Sequence, residues 1–342
     1  MKMTRKRQEE QPEEKDLQFQ KISLLSSTMR HWENHQKKGY DPNETRISDL
    51  LECWSGESGP AIGLLGIPFD SAVLGRKGAK GGPKKIRDSI RYFKAYDWRR
   101  DFWFGDKKIY DFGDIIFDAQ SVLECHNHIT EIITKIVAKN FTVITLGGDH
   151  SITYPLVKGM KEHYREPIGL INIDAHLDVR EVINGRISSG TPFRRLLEKN
   201  VIAGKNFVEL GIRNFANAKK YRQYAEKQGA TIFTVEEIQI MGLESVLATT
   251  LENITAETEF TYISLDLDSL DQIFAPGVSA PTPAGLTPTQ IAQIIRKVVS
   301  ETNTIGMDIV ELNPIYDTAD TTAINAALFL VEFCASHFYK HS

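Results

Sequence analysis

Asp174-Ala175-His176-Leu177-Asp178 places three potential metal ligands at every second position, directly after the apolar run Pro167-Ile168-Gly169-Leu170-Ile171-Asn172-Ile173. In an extended backbone alternate side chains point the same way, so the two carboxylates and the imidazole are expected to converge. Crowded together, such groups repel and desolvate one another unless a cation sits between them. Similar clusters follow other apolar stretches. Residues 141–146 run into Gly147-Gly148-Asp149-His150-Ser151, and residues 260–265 into Asp266-Leu267-Asp268-Ser269-Leu270-Asp271. The stretch 304–309 carries Asp308 and is followed by Glu311 and Asn313-Pro314. A single such cluster would suit a helix cap or a satisfied buried aspartate. Repeated at corresponding strand ends, they point to one shared site.

The candidate ligands are His150, Asp174, His176, Asp178, Asp266 and Asp268, with Asp271 left for a turn. Mixed oxygen and nitrogen ligation suits Mn²⁺, Zn²⁺, Fe²⁺ or Ni²⁺, and the carboxylate excess favours Mn²⁺. The lack of thiolates argues against a structural zinc site. Six ligands rich in carboxylates fit two ions better than one, with Asp174 and Asp266 placed to bridge. The chemistry of such a pair is hydrolysis. Cys125-His126-Asn127-His128 lies early in an expected helix, where positions i and i+2 diverge, and reads as solvent-facing. His31, His35, His163, His337 and His341 have no acidic constellation around them.

The elements that must hold these residues alternate along the chain. Strands are expected at 61–67, 108–112, 141–146, 167–173, 206–210, 231–233, 260–265 and 304–309. Helices are expected to open near Pro83 and to cover 122–139, 151–163, a stretch from about 193, 219–228, 235–254, 288–300 and a stretch from about 321. About eight strands with helical crossovers imply a parallel sheet covered on both faces. An open wound sheet and a closed barrel both satisfy this pattern, and both gather ligands at the C-terminal strand ends. Gly75-Arg76-Lys77-Gly78-Ala79-Lys80-Gly81-Gly82-Pro83 has neither phosphate-loop spacing, so it reads as a structural or active-site-rim loop.

The 342 residues carry a net charge of −4, with 41% hydrophobic and 25% charged residues. This balance is that of a soluble globular protein and argues for neither nucleic acid nor an anionic membrane as partner. The apolar run 326–331 meets Glu332 too early for a membrane helix. Residues 1–18 switch from basic to acidic and are expected to form a disordered, charged tail without a secretory or transit signal. Residues 19–60 form an extension expected to pack on the core or on a neighbouring subunit, ahead of a catalytic domain at 61–342. Three scattered cysteines, Cys53, Cys125 and Cys334, suit a reducing cytoplasm.

Taken in order, the Gly147–Ser151, Asp174–Asp178 and Ser264–Asp271 segments resemble the three signatures of the ureohydrolase family of arginases, agmatinases and formimidoylglutamases. Ala275-Pro276-Gly277 and Glu311-Leu312-Asn313-Pro314 extend the resemblance over about 61–335, while Gln272 departs from the proline common at that place. The resemblance implies a three-layer α/β/α fold with an eight-stranded parallel sheet, two Mn²⁺ per subunit, and a trimer or hexamer. It assigns His150, Asp174, Asp178 and Asp266 to one ion, and His176, Asp174, Asp266 and Asp268 to the other.

Within the family, Asp178-Val179-Arg180, the segment 188–195 and Leu210-Gly211-Ile212-Arg213-Asn214-Phe215 look like formimidoylglutamase. No histidine stands near Ser189, where arginases carry one. Arg180, Arg186, Arg194, Arg195 and Arg213 fall in segments expected to rim the pocket, and arginine suits carboxylates while repelling a cationic tail. The implied reaction converts N-formimidoyl-L-glutamate and water to L-glutamate and formamide, a step of histidine degradation. Asp178 would orient the attacking oxygen and pass its proton to the leaving amine, and Glu311 would hold the formimino N–H groups. Arg180, Ser189, Arg194 and Arg213 are the candidate substrate contacts. A guanidino hydrolase such as agmatinase, releasing urea, is the alternative within the family. A non-catalytic metal-binding scaffold is the alternative outside it, although no ligand is missing. A deacetylase on a related fold would use fewer carboxylates.

Overall fold

The computed structural model describes residues 41, 44–117 and 121–342. The expected tail at 1–18 and most of the 19–60 extension lie outside the described residues.

Nine parallel strands form the sheet: β1 (Leu51–Cys53), β2 (Ala61–Gly66), β3 (Ile109–Asp114), β4 (Phe141–Leu146), β5 (Ile168–Ile173), β6 (Phe207–Ile212), β7 (Thr231–Thr234), β8 (Phe260–Asp266) and β9 (Thr304–Val310). Their spatial order is β1-β3-β2-β4-β9-β8-β5-β6-β7. The sheet is open. Eight strands were expected, and the ninth, β1, is an edge strand pairing only with β3. Its three residues, half-buried Leu51 and exposed Glu52 and Cys53, are too short and too polar to show a period. Just before it, Ile47 and Leu50 are buried in the core.

Central strands are apolar on both faces because helices cover both. On β5, Ile171 and Ile173 pack into one core cluster, and Ile168 and Leu170 into the other. The first cluster gathers α1 (Gly82–Ile90), α6 (Val235–Met241), α7 (Leu243–Thr255), α8 (Pro288–Glu301) and α9 (Thr321–Lys340). The second gathers α2 (Val122–Val137), α3 (Thr153–Tyr164), α4 (Pro192–Glu198) and α5 (Lys219–Gln228). The result is three layers, with near-continuous apolar runs in the strands. Helix α9 has the length and composition of a membrane span. It is instead a core helix: Ala323, Ala326, Ala327, Phe329, Leu330 and Phe333 are buried, and Glu332 pairs with Arg296.

This order sets β4, β9, β8 and β5 side by side in the middle of the sheet. Each delivers one of the polar clusters at its C-terminal end. Consecutive strands β4 and β5 stand two strands apart, and the gap is filled by β8 and β9, which come later in the chain. A crevice at the strand ends is expected where strand order switches in this way.

The β4 end is packed without slack. A Cβ on Gly148 would stand 1.7 Å from the Phe69 carbonyl oxygen, the same oxygen that accepts from Asp149 N at 2.8 Å. Gly148→Ala should cost about 1–3 kcal/mol or more through overpacking. That lowers the melting temperature by roughly 2–4 °C per kcal/mol. A thermal melt superposing on wild type would show that this backbone crossing has room to spare.

Candidate metal centre

The ligand-bearing strand ends share a local device. Asp149 Oδ1 accepts from Ser151 N at 3.0 Å, Asp174 Oδ1 from His176 N at 2.7 Å, and Asp266 Oδ1 from Asp268 N at 2.8 Å. An aspartate that binds the backbone two residues on stops the strand and turns the chain. The expected extended register through Asp178 is therefore corrected. Strand β5 ends at Ile173, residues 174–176 bend, and Asp178 has φ +46°. Convergence comes from the bend, not from strand alternation. Glu311 also lies in the left-handed region, at φ +68°. Such backbone is costly for residues other than glycine and concentrates at functional sites.

All six sequence-predicted ligands come together. His150 Nδ1 stands 3.1 Å from Asp174 Oδ2, 3.2 Å from Asp178 Oδ2 and 3.1 Å from Asp266 Oδ2. His176 Nδ1 is 3.4 Å from Asp174 Oδ1 and 3.1 Å from Asp268 Oδ2. Asp174 thus offers one oxygen to each imidazole. Two groups, His150-Asp174-Asp178 and Asp174-His176-Asp268, could each hold a metal ion.

The protonation pattern supports that use. Ser264 donates to Asp308 Oδ1 at 2.8 Å, and Thr153 and Tyr262 donate to Asp308 Oδ2 at 3.1 and 2.9 Å. With its proton committed, Ser264 can only accept from His150 Nε2, 3.0 Å away. The Nδ1 side of His150 is then turned on the carboxylates, fully buried and without a hydrogen-bond partner. A buried nitrogen facing three carboxylate oxygens fits either a proton or a divalent cation. The donor set fits the metal.

Electrostatics without the ion show the same demand. Burial works against a charge on His150, yet Asp174, Asp178 and Asp266 raise its pKa well above the ordinary value. The Asp268 charge leads in pushing His176 up to about 12. Burial, then Asp268 and Asp174, raises Asp266 far above the carboxylate range, and burial raises Asp178 and Asp268. Burial also lifts Glu311 to about 8 and Asp149 to about 6. Glu311 accepts from His150 N at 2.8 Å and from the Ser279 hydroxyl. Asp271 is a turn residue, accepting from Ile273 N and Ala284 N at 3.0 and 2.6 Å.

The arginines divide sharply. Arg213 is buried and gives its guanidinium to the carbonyls of Ser269, Leu270 and Thr282, so it is corrected from substrate contact to loop clamp. Arg194 pairs with Glu198 one helical turn on and stacks 3.6 Å over Tyr224, which engages it elsewhere too. Arg195 is consumed by His126 and Tyr154. Arg180 is exposed, 5.6 Å over Tyr221, with no ion pair among the described residues. Ser189 is buried on the neighbouring loop, its hydroxyl accepting from Leu74 N at 3.2 Å.

His126 also needs correcting. It is buried, receives Arg195 Nη1 at Nδ1 over 2.8 Å, and meets Ser151 Oγ at 3.1 Å through Nε2. Burial, helped by the Arg195 charge, drops its pKa to about 3, so the ring is a neutral strut behind the His150 turn. Sequence reading missed Glu209. It sits in the middle of β6, fully buried opposite Asn172 on β5, and accepts from Asn172 Nδ2 at 2.8 Å. The signal was present: an acid inside Phe207-Val208-Glu209-Leu210-Gly211-Ile212 has no business in a buried strand unless it is neutral or paired.

A model of the arginase family matches residues 60–335. A formimidoylglutamase of Halalkalibacterium halodurans is 33% identical over 86% of this chain and 92% of its own. A mitochondrial agmatinase of Gallus gallus is 34% identical over 82% of each chain. Among solved structures, formimidoylglutamase from Bacillus subtilis superposes with TM-score 0.84 at 31% identity, covering 91% of this chain and 98% of its own. Trypanosoma cruzi formiminoglutamase with Mn²⁺ superposes with TM-score 0.79 at 27% identity, covering 86% and 98%.

Burial, followed by the charges of Asp174 and Asp178, holds the Glu209 pKa well above 4.5. A raised acid costs stability as pH climbs past the unfolded-state value, because only the unfolded chain ionises freely. In metal-free protein, Glu209→Gln should therefore gain stability over wild type as pH rises from 5 to 8. Melting curves that show a constant or shrinking difference would mean that Glu209 is ionised in the fold.

Proposed function

The chain belongs to the arginase family and is a binuclear-metal hydrolase of amidine C–N bonds, and we propose that its substrate is N-formimidoyl-L-glutamate, cleaved to L-glutamate and formamide. The observation that carries the site is the partnerless Nδ1 of buried His150 among three carboxylates, with Asp174 shared by a second imidazole. His150, Asp174, Asp178 and Asp266 would hold one divalent ion, and His176, Asp174, Asp266 and Asp268 the other. When bound, two Mn²⁺ ions would acidify a shared water and polarise the amidine.

The remaining work falls to the chain. Asp178 is fixed by its left-handed backbone, and burial raises its carboxyl, so it is suited to take a proton from the attacking water and return it to the leaving amine. Glu311, held by His150 N–H and the Ser279 hydroxyl, presents remaining lone pairs to the formimino N–H groups. A protonated amidine beside it compensates the burial that lifts its pKa. Arg180 takes a substrate carboxylate and sets the amidine over the ligands. Ser189 braces the loop next to it. A cytoplasmic homo-oligomer, trimeric or hexameric, belongs to the same proposal.

An unpaired arginine at the rim favours an anionic substrate over agmatine, whose tail is cationic. The agmatinase similarity keeps urea release as the second reading. On Mn²⁺-loaded protein, a panel of formimidoylglutamate, agmatine, arginine and guanidinobutyrate should yield formamide and glutamate from the first and little urea from the others. Turnover of a guanidino compound beside an inert formimidoylglutamate would reverse the assignment. Asp178→Ala should lose bound metal together with about 10²–10⁴-fold in turnover, and an active, metal-replete variant would remove Asp178 from its role.

A further inference from the structure

The loop that follows β2 is bonded at its start to Asp149 beside the cluster and is tied to two flanking segments. On one side Ser189 N donates to Ala72 O at 2.8 Å, and Leu74 N donates to Ser189 Oγ at 3.2 Å. A Cβ on Gly190 would meet Arg180 Cδ at 2.5 Å and Leu74 Cδ1 at 3.0 Å, so Leu74 and Arg180 share the space over that glycine. On the other side Arg76 N donates to Ser279 O at 3.2 Å, and the Ser279 hydroxyl is bonded to Glu311. Asn313 Nδ2 holds the Arg76 and Lys77 carbonyls at 3.1 and 3.0 Å. The loop backbone is thus anchored at the rim, while Arg76 and Lys77 are exposed and form no ion pair among the described residues. The Arg76 guanidinium lies 4.7 Å over the Tyr316 ring, which covers one face and leaves its N–H edges open to an acceptor.

We propose that Arg76 is a second carboxylate anchor, which together with Arg180 makes the site selective for amidines of dicarboxylic amino acids; this rests on the formimidoylglutamate reading. Arg180 follows Asp178 by two residues, and Asp178 serves the leaving amine. The α-carboxylate is one carbon from that amine and falls to Arg180. Arg76, across the mouth on the Ser279 side, takes the γ-carboxylate. Of the other arginines on the sequence-predicted rim, Arg194, Arg195 and Arg213 are engaged, and Arg186, exposed and without an ion pair among the described residues, sits on the tight 183–186 turn and not on the loop bonded to Ser279.

The test uses full-length Mn²⁺-loaded enzyme with three substrates: N-formimidoyl-L-glutamate, N-formimidoyl-α-aminobutyrate without the γ-carboxylate, and N-formimidoyl-γ-aminobutyrate without the α-carboxylate. Arg76→Met should raise KM for the first about 10- to 100-fold and erase its preference over the α-aminobutyrate compound. The preference over the γ-aminobutyrate compound should survive and be lost instead in Arg180→Met. Arg76→Lys should recover part of the loss, and Lys80→Met on the same loop should behave as wild type. Calorimetric titration with L-glutamate should show the same ranking without turnover. An Arg76→Met enzyme that still discriminates the γ-carboxylate, or that loses all three substrates alike, would overturn the proposal while leaving the formimino reading intact. Wild-type enzyme inert toward all three, yet active on a guanidino compound, would sink both.

Discussion

Three buried aspartates and the half-buried Asp178 crowd two imidazoles, and the rest of the structure exists to make that concentration of charge tolerable. Two unit charges at 4 Å repel by about 4 kcal/mol at an effective dielectric of 20, and Asp174, Asp178, Asp266 and Asp268 lie around the same pair of rings. No single strand could force them together. Three strand ends do, those of β4, β8 and β5 with β9 between β4 and β8, each in rigid sheet register, and an aspartate turns the backbone at or just beyond each of these strands. The carboxylates that turn the chain at β5 and β8, Asp174 and Asp266, also stand in the cluster. Position and charge are therefore not independent. The same hydrogen bond that aims the carboxylate also sets the positive end of an N–H dipole against its negative charge.

Around this centre burial pushes the outer acids towards their neutral forms. Glu209 and Asp308 lie one strand layer deeper, with pKa values raised by burial, and Asp308 is further occupied by three hydroxyl donors. On the other side His126 is kept neutral by burial and by Arg195. The strut therefore orients the His150 turn without adding a buried charge of its own. Any cation placed among the aspartates is held by the charged inner groups, while the outer groups fix orientation by hydrogen bonds. Division of labour of this kind lets outer partners set ligand geometry without competing for the metal.

What could be read from the sequence follows from which interactions are local. Strands β4, β5, β8 and β9 are apolar runs interrupted by acids at their ends, and both facts are visible along the chain. That these residues would gather in one cluster was legible for that reason. The edge strand β1 was not, since three residues with two exposed show no period, and its place depends on pairing with β3. His126 was misread because helix geometry separates it from His128 but does not say which of the two faces the core. The arginines were overread: four of them in the segment 179–195 looked like one cationic rim, but helix pairing to Glu198 and contact with Tyr154 are properties of α4. The carbonyls that hold Arg213 come from residues 269–282, far along the chain.

The separation between sheet and loops explains why overall similarity stops short of the substrate. Identity to a formimidoylglutamase and to an agmatinase is nearly equal, 33% and 34%. The ligands come from strand ends whose geometry any amidine hydrolysis on this fold must keep, so they weigh equally in both comparisons. In the proposed reading, discrimination between a cationic and an anionic tail would act farther out, where Arg180 leans over Gly190 and the 72–77 loop spans from Ser189 to Ser279. A few exposed side chains there contribute little to identity. On the proposed reading they would set the sign of the field that an incoming substrate meets before it reaches the aspartates, and a negatively charged interior behind a positive rim would suit a molecule that is cationic at its amidine and anionic at its tail.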